Sequence, residues 1–271
     1  MIFDVSAAAE ARVHYSQQGF VGFSGLYSEA QMLELGSAVE RATRVRINVT
    51  DGYFGRLDTD NSFNAQYRQF ANLHEQDQEL ADFALDPTVA SVAGMLEESD
   101  LVFLFSSSLH KLPFADPLRA HHDLRQMPFA SPHMITAWIA LDDVTTRNGC
   151  LYYLPGTNTM GVARAKDSAR SSFKQSSAAY LDFYSEYDDI EPVFAEVPRG
   201  TVMLHSAMTI HGSTANISRK SRRAFSISYV DAGATCTNPD HPLLREVGLG
   251  DPFASSRYHP VVAAAEYLSV D

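Results

Sequence analysis

The amino-acid sequence predicts a mainly β protein, a sandwich or barrel buttressed by flanking helices. Two observations carry that expectation. Between residues 101 and 231, short apolar or alternating runs recur between Pro, Gly, Asp and Asn, whereas residues 1–100 hold segments rich in Ala, Glu, Leu and Gln. No repeat, low-complexity block or Pro/Ser linker interrupts the 271 residues. One domain over 1–271 is therefore expected, with helical support over 1–100, a β core over 101–231 and an extension over 232–271.

Taken in order, Ala7 to Tyr15 and Ser28 to Arg44 have helical composition. In the second, Met32, Leu33, Leu35 and Val39 form an approximate helical stripe, and Ser28 stands three residues ahead of Gln31, the spacing of a capping box. Ile47 to Tyr67 is polar and rich in Gly, Asp and Asn, which predicts a loop. Leu80 to Leu96 is helical again, with Pro87 suited to the first turn of a new helix because proline lacks the N–H an interior position needs. Strands are expected from Leu101 through Ser108, Met134 to Leu141, Cys150 to Leu154, Thr201 to His205 and Ala224 to Val230. Gly161 to Pro198 is long and polar with an aromatic cluster (Phe173, Tyr180, Phe183, Tyr184, Tyr187), and an insertion of that size, about 161–198, is expected to be a lid.

Composition excludes whole classes of function. Against 21 Lys+Arg stand 33 Asp+Glu, a net charge of −12 without a basic stripe, so no nucleic-acid partner is expected. No run approaches the ~20 apolar residues of a membrane helix. Two cysteines, Cys150 and Cys236, make no disulfide framework, and the start lacks a basic leader region; a reducing, cytoplasmic setting is expected.

The chemistry concentrates at Ala120-His121-His122-Asp123. In a strand, residues i and i+2 share a face, so His121 and Asp123 project together while His122 points away. A third ligand must come from elsewhere, and two histidines follow a downstream β run, His205 and His211. Two imidazoles and one carboxylate leave open coordination positions and are typical of non-haem Fe(II) oxygenases. Eleven residues past His211 stands Arg222, whose planar fork suits a bidentate carboxylate pair. In a strand paired with the one that ends near His211, Arg222 would face the metal, and a keto diacid would bridge the two, with Ser213 donating a hydroxyl. Of the neighbours Arg222 and Arg223, one is expected to be a solvated edge charge.

His121-x-Asp123, Ala137-Trp138-Ile139-Ala140-Leu141-Asp142-Asp143, Asn148-Gly149-Cys150-Leu151, Leu154-Pro155-Gly156-Thr157 and His211-Gly212-Ser213 with Arg222 together resemble the phytanoyl-CoA dioxygenase family. The resemblance is good from about Leu104 to Val230 and loose in the first third. It implies a double-stranded β-helix, a jelly roll of the cupin kind. It also implies an Fe(II)/2-oxoglutarate-dependent oxygenase that consumes O2 and forms succinate and CO2 as it hydroxylates, desaturates, epimerises or cyclises a substrate. Residue by residue, it makes His121, Asp123 and His211 the iron ligands, with His205 a nearby non-ligand. Arg222, assisted by Ser213, binds the distal carboxylate of 2-oxoglutarate, and Trp138 and Ser107 line the cosubstrate pocket. Asn158 stands where the family usually has His after the Leu-Pro-Gly-Thr turn. Related halogenases replace the carboxylate ligand by a small residue, and the retained Asp123 disfavours halogenation.

A small-molecule substrate is expected, a secondary metabolite or biosynthetic intermediate rather than a polyanionic CoA thioester, given the net charge of −12. Candidate wall residues are Tyr53, Phe54, Arg56, Phe63, Met127, Phe129, Phe183 and Tyr184; His110 could face the cavity, and Lys111 and Arg125 could meet a substrate carboxylate or be solvated. Two other readings use the same side chains: a binding jelly roll without catalysis, which would not need the complete ligand and arginine set, and a zinc hydrolase, which would not need Arg222.

Overall fold

The computed structural model of the protein describes residues 1–47, 67–129, 131–161, 187, 189–241 and 244–263. In chain order these form β1 (Ile2–Phe3), α1 (Ala8–Gln18), β2 (Phe20–Phe23), α2 (Glu29–Ile47), β3 (Tyr67–Ala71), α3 (Gln78–Ala84), α4 (Pro87–Glu97), β4 (Leu101–Lys111), β5 (Leu118–His121), β6 (Met134–Ala140), β7 (Leu151–Tyr153), β8 (Val193–Ala195), β9 (Val202–Ser206), β10 (His211–Ser213), β11 (Arg222–Asp231) and β12 (Val261–Ala263). Most of the expected 47–67 loop and 161–198 lid lies outside the described residues, although Tyr67 opens a strand.

Local chemistry accounts for the helix ends. Ser28 and Gln31 cap α2 reciprocally, the Gln31 amide oxygen accepting from the Ser28 N–H at 2.9 Å and the Ser28 hydroxyl from the Gln31 N–H at 3.3 Å. The buried stripe of α2 is Met32, Leu35, Ala38, Val39 and Ala42; Leu33, included in the sequence stripe, is 60% exposed because it lies one position off that face. Asp86 accepts from the Thr88 N–H at 2.7 Å and starts α4 with Pro87 in its first turn. Gly19 ends α1 at φ +82, a conformation L side chains rarely adopt, and a Cβ there would collide with the Thr209 hydroxyl. Its carbonyl accepts from the Ser206 N–H (2.9 Å) and the Thr209 hydroxyl (2.7 Å), tying down the turn that leads to His211.

Two sheets oppose each other. The larger runs β1-β2-β9-β6-β11-β4-β12, with β3 also on β4, and the smaller runs β5-β10-β7-β8. The helix-facing side of the larger sheet carries Phe225, Ile227, Tyr229, Ile135, Ala137, Ile139, Val202 and Leu204, packed with the buried faces of α1, α2 and α4. Burying such a side chain stabilises by about 1.5–3 kcal/mol. Strand alternation puts different residues on the inner face: Arg222, Ala224, Ser226 and Ser228 on β11, Thr136, Trp138 and Ala140 on β6, and Ser107, Leu109 and Lys111 on β4. At one end Phe20, Trp138, Ala140, Met203 and Ala224 pack against Leu151, Tyr153 and Ala195 of the smaller sheet. Elsewhere the inner face is small or hydroxylic, which leaves room for a ligand where apolar bulk would have filled the interior. No helix among the described residues is long and apolar enough to cross a membrane.

Candidate active site

Antiparallel pairing of β5 with β10 sets His121 directly opposite His211, their ring centroids 4.4 Å apart. Strand β5 ends at His121; the backbone stays extended at His122 (φ −101, ψ 132) and turns into a short 3-10 helix at Asp123. Asp123 is thus not a strand residue as expected, but the extended step through His122 keeps it on the face of His121, with His122 buried. In both ligand candidates the Nδ1 atom faces the backbone carbonyl two residues earlier, His121 to Arg119 at 2.8 Å and His211 to Thr209 at 3.0 Å. A carbonyl only accepts, so Nδ1 carries the proton and each Nε2 presents its lone pair.

Those two Nε2 atoms converge on one oxygen, lying 3.5 Å (His121) and 3.6 Å (His211) from Asp123 Oδ1. The other oxygen, Oδ2, accepts from the Thr136 hydroxyl at 3.2 Å and lies 3.4 Å from His205 Nε2. The carboxylate is therefore divided, one oxygen for the convergence point and one for its supports. Three donor atoms, all within 4.8 Å of one another, could hold a metal ion. Burial alone would raise the Asp123 carboxyl, but His211 and contacts from His121 and His205 outweigh it and hold it well below the ordinary carboxylate range. Burial, with His205 nearby, pushes His211 well below its ordinary value, which keeps its imidazole neutral.

Arg222 reaches the same interior from the opposite sheet. Its strand pairs with β4 and β6, not with the His211 strand as expected, so the guanidinium and the histidines meet across the barrel rather than along one ladder. Arg222 is 1% exposed. Its Nε donates to the Gly149 carbonyl at 3.2 Å, its guanidinium lies 5.1 Å from the Trp138 ring centroid and interacts with the Tyr67 phenol, and it makes no ion pair with a carboxylate among the described residues. Burial raises the Tyr67 phenol, while the charge of Arg222 and a hydrogen bond to it act to lower it. An unpaired buried cation costs several kcal/mol. Such a pocket suits an anion, and the donor set opposite it could hold a metal ion.

A family model described as phytanoyl-CoA dioxygenase matches residues 15–224. The chain belongs to the phytanoyl-CoA dioxygenase family. A phytanoyl-CoA dioxygenase of Arabidopsis thaliana is 31% identical over 163 residues, 59% of this chain and 55% of that protein, so the match spans just over half of the relative's length. The non-haem α-ketoglutarate-dependent carbocyclase SnoK of nogalamycin biosynthesis superposes with a TM-score of 0.73 at 26% identity, covering 90% of this chain and 92% of that one. The epimerase SnoN, solved with Fe3+, α-ketoglutarate and nogalamycin RO, shares the fold at a TM-score of 0.72 and 21% identity, covering 92% of this chain and 96% of that one. The fold is the double-stranded β-helix, as the resemblance implied.

Within this phytanoyl-CoA dioxygenase scaffold, the register carries Ser107, Ser226 and Trp138 across three adjacent strands on the inner face. Ser107 is fully buried and accepts from the Gln69 amide at 3.3 Å. Ser213 is fully buried too, its hydroxyl accepting from Lys111 Nζ at 3.0 Å. Lys111 is therefore not solvated; it is 1% exposed. His110 faces away from the cavity, opposite Arg223 and Arg68 and against Phe70, because it is one residue out of phase with Lys111. Arg223, on that outer face, is held by Asp142 at 2.7 Å. Phe129 stacks edge-on with Phe253 and Met127 packs in the same cluster, so these two candidate wall residues build core instead. Tyr53, Phe54, Arg56, Phe63, Phe183 and Tyr184 lie outside the described residues. Sequence reasoning missed Thr136, Tyr67 and Gln69. The signal for Thr136 was present in the alternation of Met134 to Ala140, which places it two residues from Trp138 on the same face.

Proposed function

We propose that the protein is an Fe(II)/2-oxoglutarate-dependent oxygenase that oxidises a small organic biosynthetic intermediate, with hydroxylation as the expected outcome. The observation that carries this reading is the pairing of two Nε2 atoms on Asp123 Oδ1 with a buried guanidinium across the barrel that meets no carboxylate among the described residues. His121, Asp123 and His211 would hold the iron. When bound, iron with 2-oxoglutarate and O2 supplies oxidising power, the keto acid leaving as succinate and CO2.

The chain's own residues supply the rest. Thr136 donates to Asp123 Oδ2, with His205 Nε2 3.4 Å from the same oxygen, and so leaves Oδ1 aimed at the histidine pair. Arg222, aligned by the Gly149 carbonyl and the Trp138 ring, presents two parallel N–H groups to the distal carboxylate. Ser213 adds a hydroxyl. The zinc-hydrolase and binding-protein readings leave the cost of burying Arg222 unexplained. A small biosynthetic intermediate agrees with the net charge of −12 and with the similarity to SnoK, a carbocyclase of nogalamycin biosynthesis. Anaerobic addition of Fe(II) and then 2-oxoglutarate tests the reading through the weak visible charge-transfer band of the chelate. Its absence would refute the function, and its presence opens a substrate screen by succinate release.

A further inference from the structure

Lys111 ends β4 opposite Arg222 of β11, so two cations face the same interior as cross-strand partners. Both are 1% exposed, and neither makes an ion pair among the described residues. Like charges directly opposite in a sheet destabilise it, and burial magnifies the cost. The surroundings nonetheless accommodate both. Gly149, at φ +96, holds Arg222 through its carbonyl, and a Cβ on it would collide with the Lys111 stem. Asn216 grips the Lys111 backbone carbonyl at 3.1 Å. One of the three ammonium donors is spent on Ser213, which leaves the Ser213 hydroxyl hydrogen free to donate elsewhere. Burial and the Arg222 charge lower the amine to about 7, and an arriving carboxylate would reverse that shift.

We propose that Lys111 is a second cationic receptor for the cosubstrate: with Arg222 and Ser213 it grips the distal carboxylate of 2-oxoglutarate, so that the pocket selects a keto diacid over a keto monoacid. This rests on the function proposed above. Arg222 supplies the fork, Ser213 one hydroxyl donor and Lys111 a point charge on the remaining lone pairs of the same carboxylate. A carboxylate seated between Lys111 and Arg222 would offset the repulsion of like charges on paired strands.

The test is calorimetric titration of the anaerobic, Fe(II)-loaded full chain with 2-oxoglutarate and with 2-oxobutyrate, which lacks the distal carboxylate. K111M keeps the stem that passes Gly149, and K111Q keeps a hydrogen bond to Ser213 while removing the charge. Both variants are expected to bind 2-oxoglutarate about 10- to 100-fold more weakly, the loss of one charge-assisted hydrogen bond. Their affinity for 2-oxobutyrate should be unchanged, and without ligand they should melt no lower than the parent. A purely structural tie between the sheets predicts the reverse, with unchanged 2-oxoglutarate affinity and a lower melting temperature in K111M, and that result overturns the proposal. Equal losses for both keto acids overturn it as well. Failure of the underlying reading looks different, since the unsubstituted protein would then not bind 2-oxoglutarate, and the inference falls with it.

Discussion

Removing the Arg222 guanidinium is the sharpest perturbation of the anion pocket. Its Nε is already bonded to the Gly149 carbonyl, so the expected loss in Arg222→Ala is that of the two terminal nitrogens, neither of which meets a carboxylate among the described residues. A hydrogen bond to a charged group contributes about 1.5–3 kcal/mol, so two contribute about 3–6 kcal/mol. At ~1.4 kcal/mol per tenfold, that is a rise in the 2-oxoglutarate Kd of at least about 100-fold. Arg222→Lys keeps the charge but loses the fork, and should fall between the two. The assay is built into the site: Trp138 is the chain's single tryptophan and lies 5.1 Å from the guanidinium, so its emission reports occupancy of the pocket. Titration of the metal-loaded protein with 2-oxoglutarate should shift that emission at low concentration in the parent and only at far higher concentration in Arg222→Ala. A Kd within threefold of the parent, in a variant with unchanged circular dichroism, would remove Arg222 from this role.

Asp123→Ala takes away the only charged member of the donor triad and should abolish stoichiometric Fe(II) binding and turnover, as read by metal analysis after desalting; retained metal would refute the ligand assignment. Thr136→Val removes the 3.2 Å bond to Asp123 Oδ2 and should weaken metal affinity by about 10- to 100-fold without changing the fold, measured by competition with a chelator. The contribution of Lys111 to the stability of the ligand-free protein should grow as pH rises from 7 toward 10. Burial and the charge of its strand partner Arg222 lower its folded pKa to about 7 from an ordinary 10.5, against the opposing influence of Asp116 and Cys150, with Tyr67 its partner on the other strand. Between those values the unfolded chain binds the extra proton, so unfolding free energy rises by up to about 1.4 kcal/mol per pH unit. Chemical denaturation of K111M should show that slope flattened, and identical slopes would refute the assignment.

The convergence of His121 and Asp123 was readable from the chain. His-x-Asp spacing placed two donors on one face, and that survived even though Asp123 lies beyond the end of its strand, because a single extended residue preserves the side-chain direction. The choice between His205 and His211 was not readable from spacing. Both lie in the interior, and the structure separates them by what their rings face: His211 Nε2 meets the Asp123 oxygen shared with His121, while His205 meets the other oxygen and the Tyr153 hydroxyl. Whether Lys111 meets a carboxylate or solvent was left open by the sequence for a related reason. A lysine at the end of a run looks solvated, and only the cross-strand pairing with Arg222 and the missing side chain at Gly149 put it indoors.

The sequence by itself determined the helix starts, the strand periodicity and the donor types, since caps, turns and alternation act over a few residues. The tertiary structure decided which strands became neighbours. It set β10 beside β5 to pair His211 with His121, and it kept β11 in the other sheet so that Arg222 approaches across the interior. A strand specifies which side chains share a face, but its backbone hydrogen-bonding edges are nearly the same along every strand. Partner and register are therefore settled by how the apolar faces close around one core.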